Sequence, residues 1–149
     1  MKAAGYVNLG GLARQSYGEE NVALVGFGTF QGEVLAGSAW GAPEQIMPLP
    51  PAKEESFESY FHKAAERHHV NELFVLLDDK RQTPFIQRLG HRAVGVVYDP
   101  RHERRGNYVP TELSKRYDAF VFVDTTHALR SLHTAVVHGE FPETWPSGQ

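Results

Sequence analysis

The densest chemistry in the chain lies in one loop. Tyr98-Asp99-Pro100-Arg101-His102-Glu103-Arg104-Arg105-Gly106-Asn107-Tyr108 places a histidine, a glutamate and three arginines directly after an expected strand. His102 or Glu103 could act as a general acid or base, and Arg104 could clamp an anion. A solvated loop tied by its own salt bridges is the other reading. Asp78, Asp79, Asp99 and Asp124 each follow an expected strand, at the rim where open α/β sheets bind ligands. Aspartate is also a common helix cap at such positions. His62, Glu66 and His69 share one face of an expected helix and could ligate a metal; a solvated helix face explains them equally well.

Other motifs fail on spacing. Gly26-Phe27-Gly28-Thr29-Phe30-Gln31-Gly32 follows a strand, but its third glycine comes one residue too late for a dinucleotide fingerprint, and strand-forming residues follow it. A glycine-shaped hairpin is the expectation there. His102-Glu103-Arg104-Arg105-Gly106 lacks the second histidine of a zinc-protease helix. The chain contains no phosphate-binding loop of the G-x-x-x-x-G-K-[ST] type. It also lacks a G-x-S-x-G nucleophile elbow, and Ser38 in Gly37-Ser38-Ala39-Trp40-Gly41 has the wrong register for one.

Composition narrows the classes further. The 149 residues are 41% hydrophobic and 22% charged, with a net charge of -3. That is enough apolar surface for a single globular domain spanning residues 1–149. Fifteen Lys and Arg against eighteen Asp and Glu give no basic footprint for nucleic acid. No apolar run approaches the ~20 residues of a membrane span. With no cysteine there is neither a disulfide framework nor a thiolate site, which fits a cytoplasmic location. No cofactor, metal, nucleic-acid partner or membrane partner is expected.

Elements must position these residues. Asn8 caps an expected helix over residues 9–17, and Gly18 stops it. Residues 22–27 read as a buried strand, 28–32 as a turn, and 33–36 as the second strand of an antiparallel hairpin. Prolines 43, 48, 50 and 51 make residues 37–53 read as a long loop. Ser56 caps a helix to about residue 69, with Phe57, Tyr60, Phe61 and Ala64 facing inward. Residues 72–77, 92–98 and 119–123 read as strands. Short helices are expected over 84–89, 111–116 and 126–132. The alternation predicts an α/β fold, with a mixed, mostly parallel sheet flanked by helices and an early antiparallel hairpin.

An ordered series of stretches resembles the erythromycin esterase-like family. It begins with Asn8-Leu9-Gly10 through Tyr17-Gly18 and Val25-Gly26-Phe27-Gly28-Thr29-Phe30-Gln31-Gly32-Glu33-Val34. Trp40-Gly41-Ala42-Pro43, Leu77-Asp78-Asp79 and Gly95-Val96-Val97-Tyr98 follow, then Pro100, Glu103, Arg104, Asn107, Tyr108, Val109 and Pro110. Tyr117-Asp118-Ala119-Phe120, Asp124-Thr125 and Ala128-Leu129 close the series. The resemblance implies an α/β hydrolytic fold unrelated to the serine hydrolases, which adds water to carboxylic esters or macrolide lactones, the latter conferring resistance. It also implies a histidine base helped by glutamates and an arginine.

In that family the catalytic His/Glu group and an Ala-His-Asn-x-His stretch lie before the region that Asn8 begins to match. This chain therefore resembles the carboxyl-terminal portion, and none of its eight histidines maps onto that group. The carry-over gives Thr29, Gly32, Glu103, Arg104, Asn107 and Tyr108 as cleft or supporting residues. The expected partner is a small-molecule ester or lactone, once the missing half completes the site. Pairing with an amino-terminal chain, or with further copies of this one, is the corresponding assembly expectation, and a non-catalytic assembly module is the alternative function.

Overall fold

The computed structural model describes residues 8–77 and 87–129. Asn8 starts α1 (Leu9–Tyr17) as its side chain accepts from the Gly11 N–H, and Gly18, at φ 87°, ends it. One 13-residue strand follows, β1 (Val25–Gly37). β2 (Glu44–Leu49) and α2 (Phe57–His68) come next, then β3 (Glu72–Leu76) and β4 (Leu89–Arg92). The short α3 (Glu103–Gly106), β5 (Tyr108–Thr111) and α4 (Leu113–Arg116) lead into β6 (Ala119–Thr126).

The fold is mixed α/β. Four strands form one sheet in the order β2-β1-β6-β3, and β4 and β5 form a separate antiparallel pair. The parallel pairing lies between β1 and β6, whereas β1–β2 and β3–β6 are antiparallel. An early antiparallel hairpin is present, but its second strand is β2, not residues 33–36. Those residues continue β1, so the expected turn at 28–32 is strand. The glycines there answer to packing. A Cβ at Gly26 would stand 2.7 Å from the Phe120 and Tyr117 rings, and one at Gly28 would stand 2.8 Å from Phe120. Glycine on that face lets the aromatic layer close onto the strand.

Three further expectations are corrected. The proline-rich stretch holds β2, with Pro48 inside it opposite Glu33. An edge strand tolerates proline because its outward N–H has no ladder partner to lose. The strand expected over 92–98 runs instead over Leu89–Arg92, and Gly90 is a strand residue instead of a helix stop. The loop after Tyr98 contains a helical turn and β5. The expected helices over 84–89 and 126–132 lie largely outside the described residues, although Leu89 is strand and Thr126 ends β6.

The main core lies between α2 and one sheet face, where Phe57, Phe61, Ala65, Leu77, Leu113, Phe120 and Phe122 are buried together. Each large side chain contributes about 1.5–3 kcal/mol by leaving water. The stripe on α2 is rotated from expectation, with Ala65 and Glu58 buried and Tyr60 exposed. Ala36, Met47, Leu49 and Tyr98 form a second cluster over the β1–β2 hairpin. No described helix is long and apolar enough to cross a membrane.

Candidate functional site

Beside the main core lies a buried charged cluster centred on Arg92, the last residue of β4. Its side chain is 3% exposed and donates to the backbone carbonyls of Thr29 (3.1 Å), Phe30 (3.0 Å) and Pro50 (2.8 Å). Nε lies 2.7 Å from Oε1 of Glu103, whose side chain is fully buried. The same nitrogen donates to the Tyr108 hydroxyl at 3.1 Å, and that hydroxyl also accepts from the Lys53 N–H at 2.8 Å. The contact between Glu103 and Arg92 is an ion pair, since the Arg92 Nε hydrogen is directed at the Tyr108 hydroxyl. Burial pushes the Tyr108 phenol up to about 12. Burial, with the neighbouring Glu103 charge second, does the same for Tyr98, also to about 12.

A second buried pair adjoins the first. Glu58, in the first turn of α2, has Oε1 2.6 Å from His91 Nδ1 and accepts the Arg92 backbone N–H at 3.0 Å. The His91 ring stands edge-on to Tyr117 and Phe120. One glutamate thus anchors β4 to α2, and the other anchors α3 to β4. Buried pairs of this kind fix geometry more than they add stability, because desolvation offsets their attraction.

A third constellation is half-exposed. His62 on α2 stacks on Phe30 with 3.6 Å between ring centres, and its Nδ1 lies 2.5 Å from Asp124 Oδ1. Glu66 Oε1 is 3.5 Å from Nε2. His69 is not part of this group; it adopts the left-handed conformation that ends α2. Among the described residues no group of three or more His, Asp or Glu side chains is arranged to hold a metal ion.

The structure gathers some of the residues named from sequence and separates others. Glu103, Tyr108 and the Thr29 carbonyl converge on Arg92. The Thr29 hydroxyl donates to the Gln31 carbonyl at 2.9 Å. Gly32, at φ 131°, lies where β1 passes Thr126, and a Cβ there would be 2.0 Å from the Thr126 carbonyl oxygen. Asn107 donates to the Ala93 carbonyl at 3.0 Å, and Arg104 is exposed. His102 is also exposed and lies 2.8 Å from Asp99, whereas its neighbour Glu103 points inward, so the two assemble no acid–base pair. Arg101 and His102 hold the Asp99 carboxyl well below the usual range. Asp78 and Asp79 lie outside the described residues.

Glu58, His91 and Arg92 escaped the sequence reading. Glu58 sits three residues before Phe61 and seven before Ala65, which is core spacing and was the available signal. Two surface cavities occupy other places. One, about 810 Å³, borders Arg14, Arg88 and Lys115, and the other, about 270 Å³, borders Met47, Tyr98 and Arg101. None of the six residues carried over by the resemblance lines either one, whereas the rim residue Asp99 borders the second.

A mixed sheet carrying a helical layer, with buried ion pairs tying its connections, defines an α/β layer protein. Within that class, the family model described as erythromycin esterase matches residues 1–126, and the chain belongs to the erythromycin esterase family. Two solved structures share the fold. A succinoglycan biosynthesis protein superposes with a TM-score of 0.63 at 14% identity, over 85% of this chain and 29% of that one. A Bacillus cereus protein superposes with a TM-score of 0.61 at 15% identity, over 85% of this chain and 30% of that one. The chain therefore spans under a third of the length of these solved relatives.

Proposed function

We infer that this chain is the supporting wall of an erythromycin esterase-type hydrolase, an enzyme that adds water to a carboxylic ester or macrolide lactone. The observation that carries the reading is the family match over residues 1–126. In such a reaction water attacks the ester carbonyl, the C–O bond to the alcohol breaks, and the alkoxide takes up a proton. A histidine base and carboxylates supply that acid–base chemistry, with fixed donors stabilising the oxyanion. The charged cluster here serves a different purpose. Glu103 and Tyr108 hold Arg92, and Arg92 pins the Thr29, Phe30 and Pro50 carbonyls, so these are positioning residues.

Alanine substitution at the positions equivalent to Glu103 and Tyr108 in a full-length family member is expected to lower kcat/KM for ester hydrolysis at least tenfold. Unchanged kinetics in both variants would remove the wall from the account. Phe27, Phe74 and Leu76, exposed apolar residues on the sheet face opposite α2 among the described residues, favour a second reading, a non-catalytic module that assembles with a companion chain. Hydrolysis by the assembled pair separates the two readings.

A further inference from the structure

The fold sorts the metal-ligating side chains of α2 into a different set from the one their spacing suggested. His62 and Glu66 lie one turn apart, so both project from one face of the helix. His69 caps α2 in the left-handed conformation, and β6 brings Asp124 to His62 instead. The imidazole is held from two sides. Its ring lies parallel to that of Phe30 on β1, with 3.6 Å between centres and 1° between planes. Its Nδ1 meets Asp124 Oδ1 at 2.5 Å. An ionised carboxylate only accepts, so Nδ1 carries the proton and the neutral ring presents the lone pair of Nε2. A carboxylate behind one ring nitrogen is the arrangement that orients a ligating histidine and raises its basicity.

Nε2 lies 3.5 Å from Glu66 Oε1, beyond the roughly 2.7–3.2 Å of a well-formed N–H···O hydrogen bond. Two ligands, each about 2.0–2.2 Å from one tetrahedral zinc ion, stand roughly 3.4 Å apart, close to that separation. Charge points the same way. Two carboxylates flank one neutral imidazole, while Lys63, the next residue of α2, lies over the Tyr60 ring. The Glu66 side chain is 67% exposed, so water reaches the donor pair.

We propose that His62 Nε2 and Glu66 Oε1 bind a divalent transition-metal ion of the zinc type, with water filling the remaining positions and Asp124 orienting the ring from behind. Imidazole with a carboxylate suits zinc and its neighbours, whereas magnesium and calcium take oxygen ligands. Two side-chain donors make an exchangeable site, in contrast to the closed four-ligand sites that hold folds together. The proposal stands apart from the hydrolase reading, and either can fail without the other.

Calorimetric titration of the 149-residue chain with zinc chloride tests it. One ion per chain is expected, with affinity lowered at least about tenfold by His62→Gln and by Glu66→Gln, as loss of a ligand must exceed loss of the group behind it. Asp124→Asn should weaken binding about tenfold, as for other groups behind ligating histidines. His68→Gln, exposed on the same helix, should leave it unchanged. Far-UV circular dichroism verifies that each variant is folded, and Glu66, being mostly exposed, gives a variant that folding does not confound. Nitrogen-15 NMR should show the His62 ring protonated at Nδ1 without metal, and zinc should shift Nε2 while Nδ1 keeps its proton. Excess magnesium should not compete. Equal zinc affinity in wild type, His62→Gln and Glu66→Gln would mean that other histidines capture the ion, and would overturn the proposal. Absence of binding to the folded chain, or a ring protonated at Nε2 in the metal-free state, would also overturn it.

Discussion

Replacing Arg92 with methionine exposes how the cluster is held. The wild-type guanidinium serves three backbone carbonyls, the Tyr108 hydroxyl and the Glu103 carboxylate, all away from water. Methionine fills much of the volume but leaves Glu103 as a buried charge without a counterion, which costs about 3–5 kcal/mol. The carbonyls lose bonds to a charged donor, worth roughly 1.5–3 kcal/mol each but not additive with that penalty. We expect a net loss of about 4 kcal/mol, close to a thousandfold in the folding equilibrium. That is a large share of the ~5–15 kcal/mol available to a domain. Glu103→Leu alone should cost less, because Arg92 keeps its carbonyl acceptors. The double variant should regain about 2 kcal/mol relative to the sum of the singles, since no unpaired charge remains. Urea unfolding followed by circular dichroism, at constant m-value, measures all three. A loss below about 1 kcal/mol for Arg92→Met, or strict additivity in the double variant, would refute the reasoning.

Other consequences follow from single contacts. Gly32→Ala puts a Cβ against the Thr126 backbone at a positive φ, so we expect little folded protein by circular dichroism; near-native stability would contradict that geometry. Tyr98 and Tyr108 ionise near pH 12 in the fold against about 10 in the unfolded chain. Their contribution to stability is complete below pH 10 and is lost as the pH rises from 10 towards 12. Phe substitution at either position should remove a phenolate absorbance that titrates near pH 12, and loss of a signal near pH 10 would count against the burial described. Ser56→Ala removes the hydroxyl that accepts from the Ser59 N–H, and should cost about 1 kcal/mol in urea unfolding.

Elements with local signals were legible in the sequence. Asn8, Gly18 and Ser56 mark helix ends through their own caps, and β3 and β6 stand out as apolar runs. β1 was cut in two because its glycines resemble a turn, whereas they make room for Phe120, a residue more than ninety positions away in sequence. β2, β4 and β5 are short and carry Pro48, His91 and Pro110, so nothing in their composition declares a strand. The cluster was half visible. Glu103 and Tyr108 were named because their loop is chemically rich, but Arg92 gathers them only once β4 and β5 pair. Glu58 was hidden by its charge, since a carboxylate in a helix's first turn ordinarily faces solvent. His62 and Asp124 were each noted, 62 residues apart, and only the packing of α2 on β6 joins them.

The proposed role of this chain is as one part of an ester hydrolase. Mass spectrometry of a macrolide lactone incubated with the folded chain alone, and with the chain plus its amino-terminal complement, tests it most directly. The account predicts a ring-opened product, heavier by one water, in the combined reaction and none with the chain alone. Product formed by the chain alone and abolished by Glu103→Ala would contradict it, and would place the chemistry inside the cluster around Arg92.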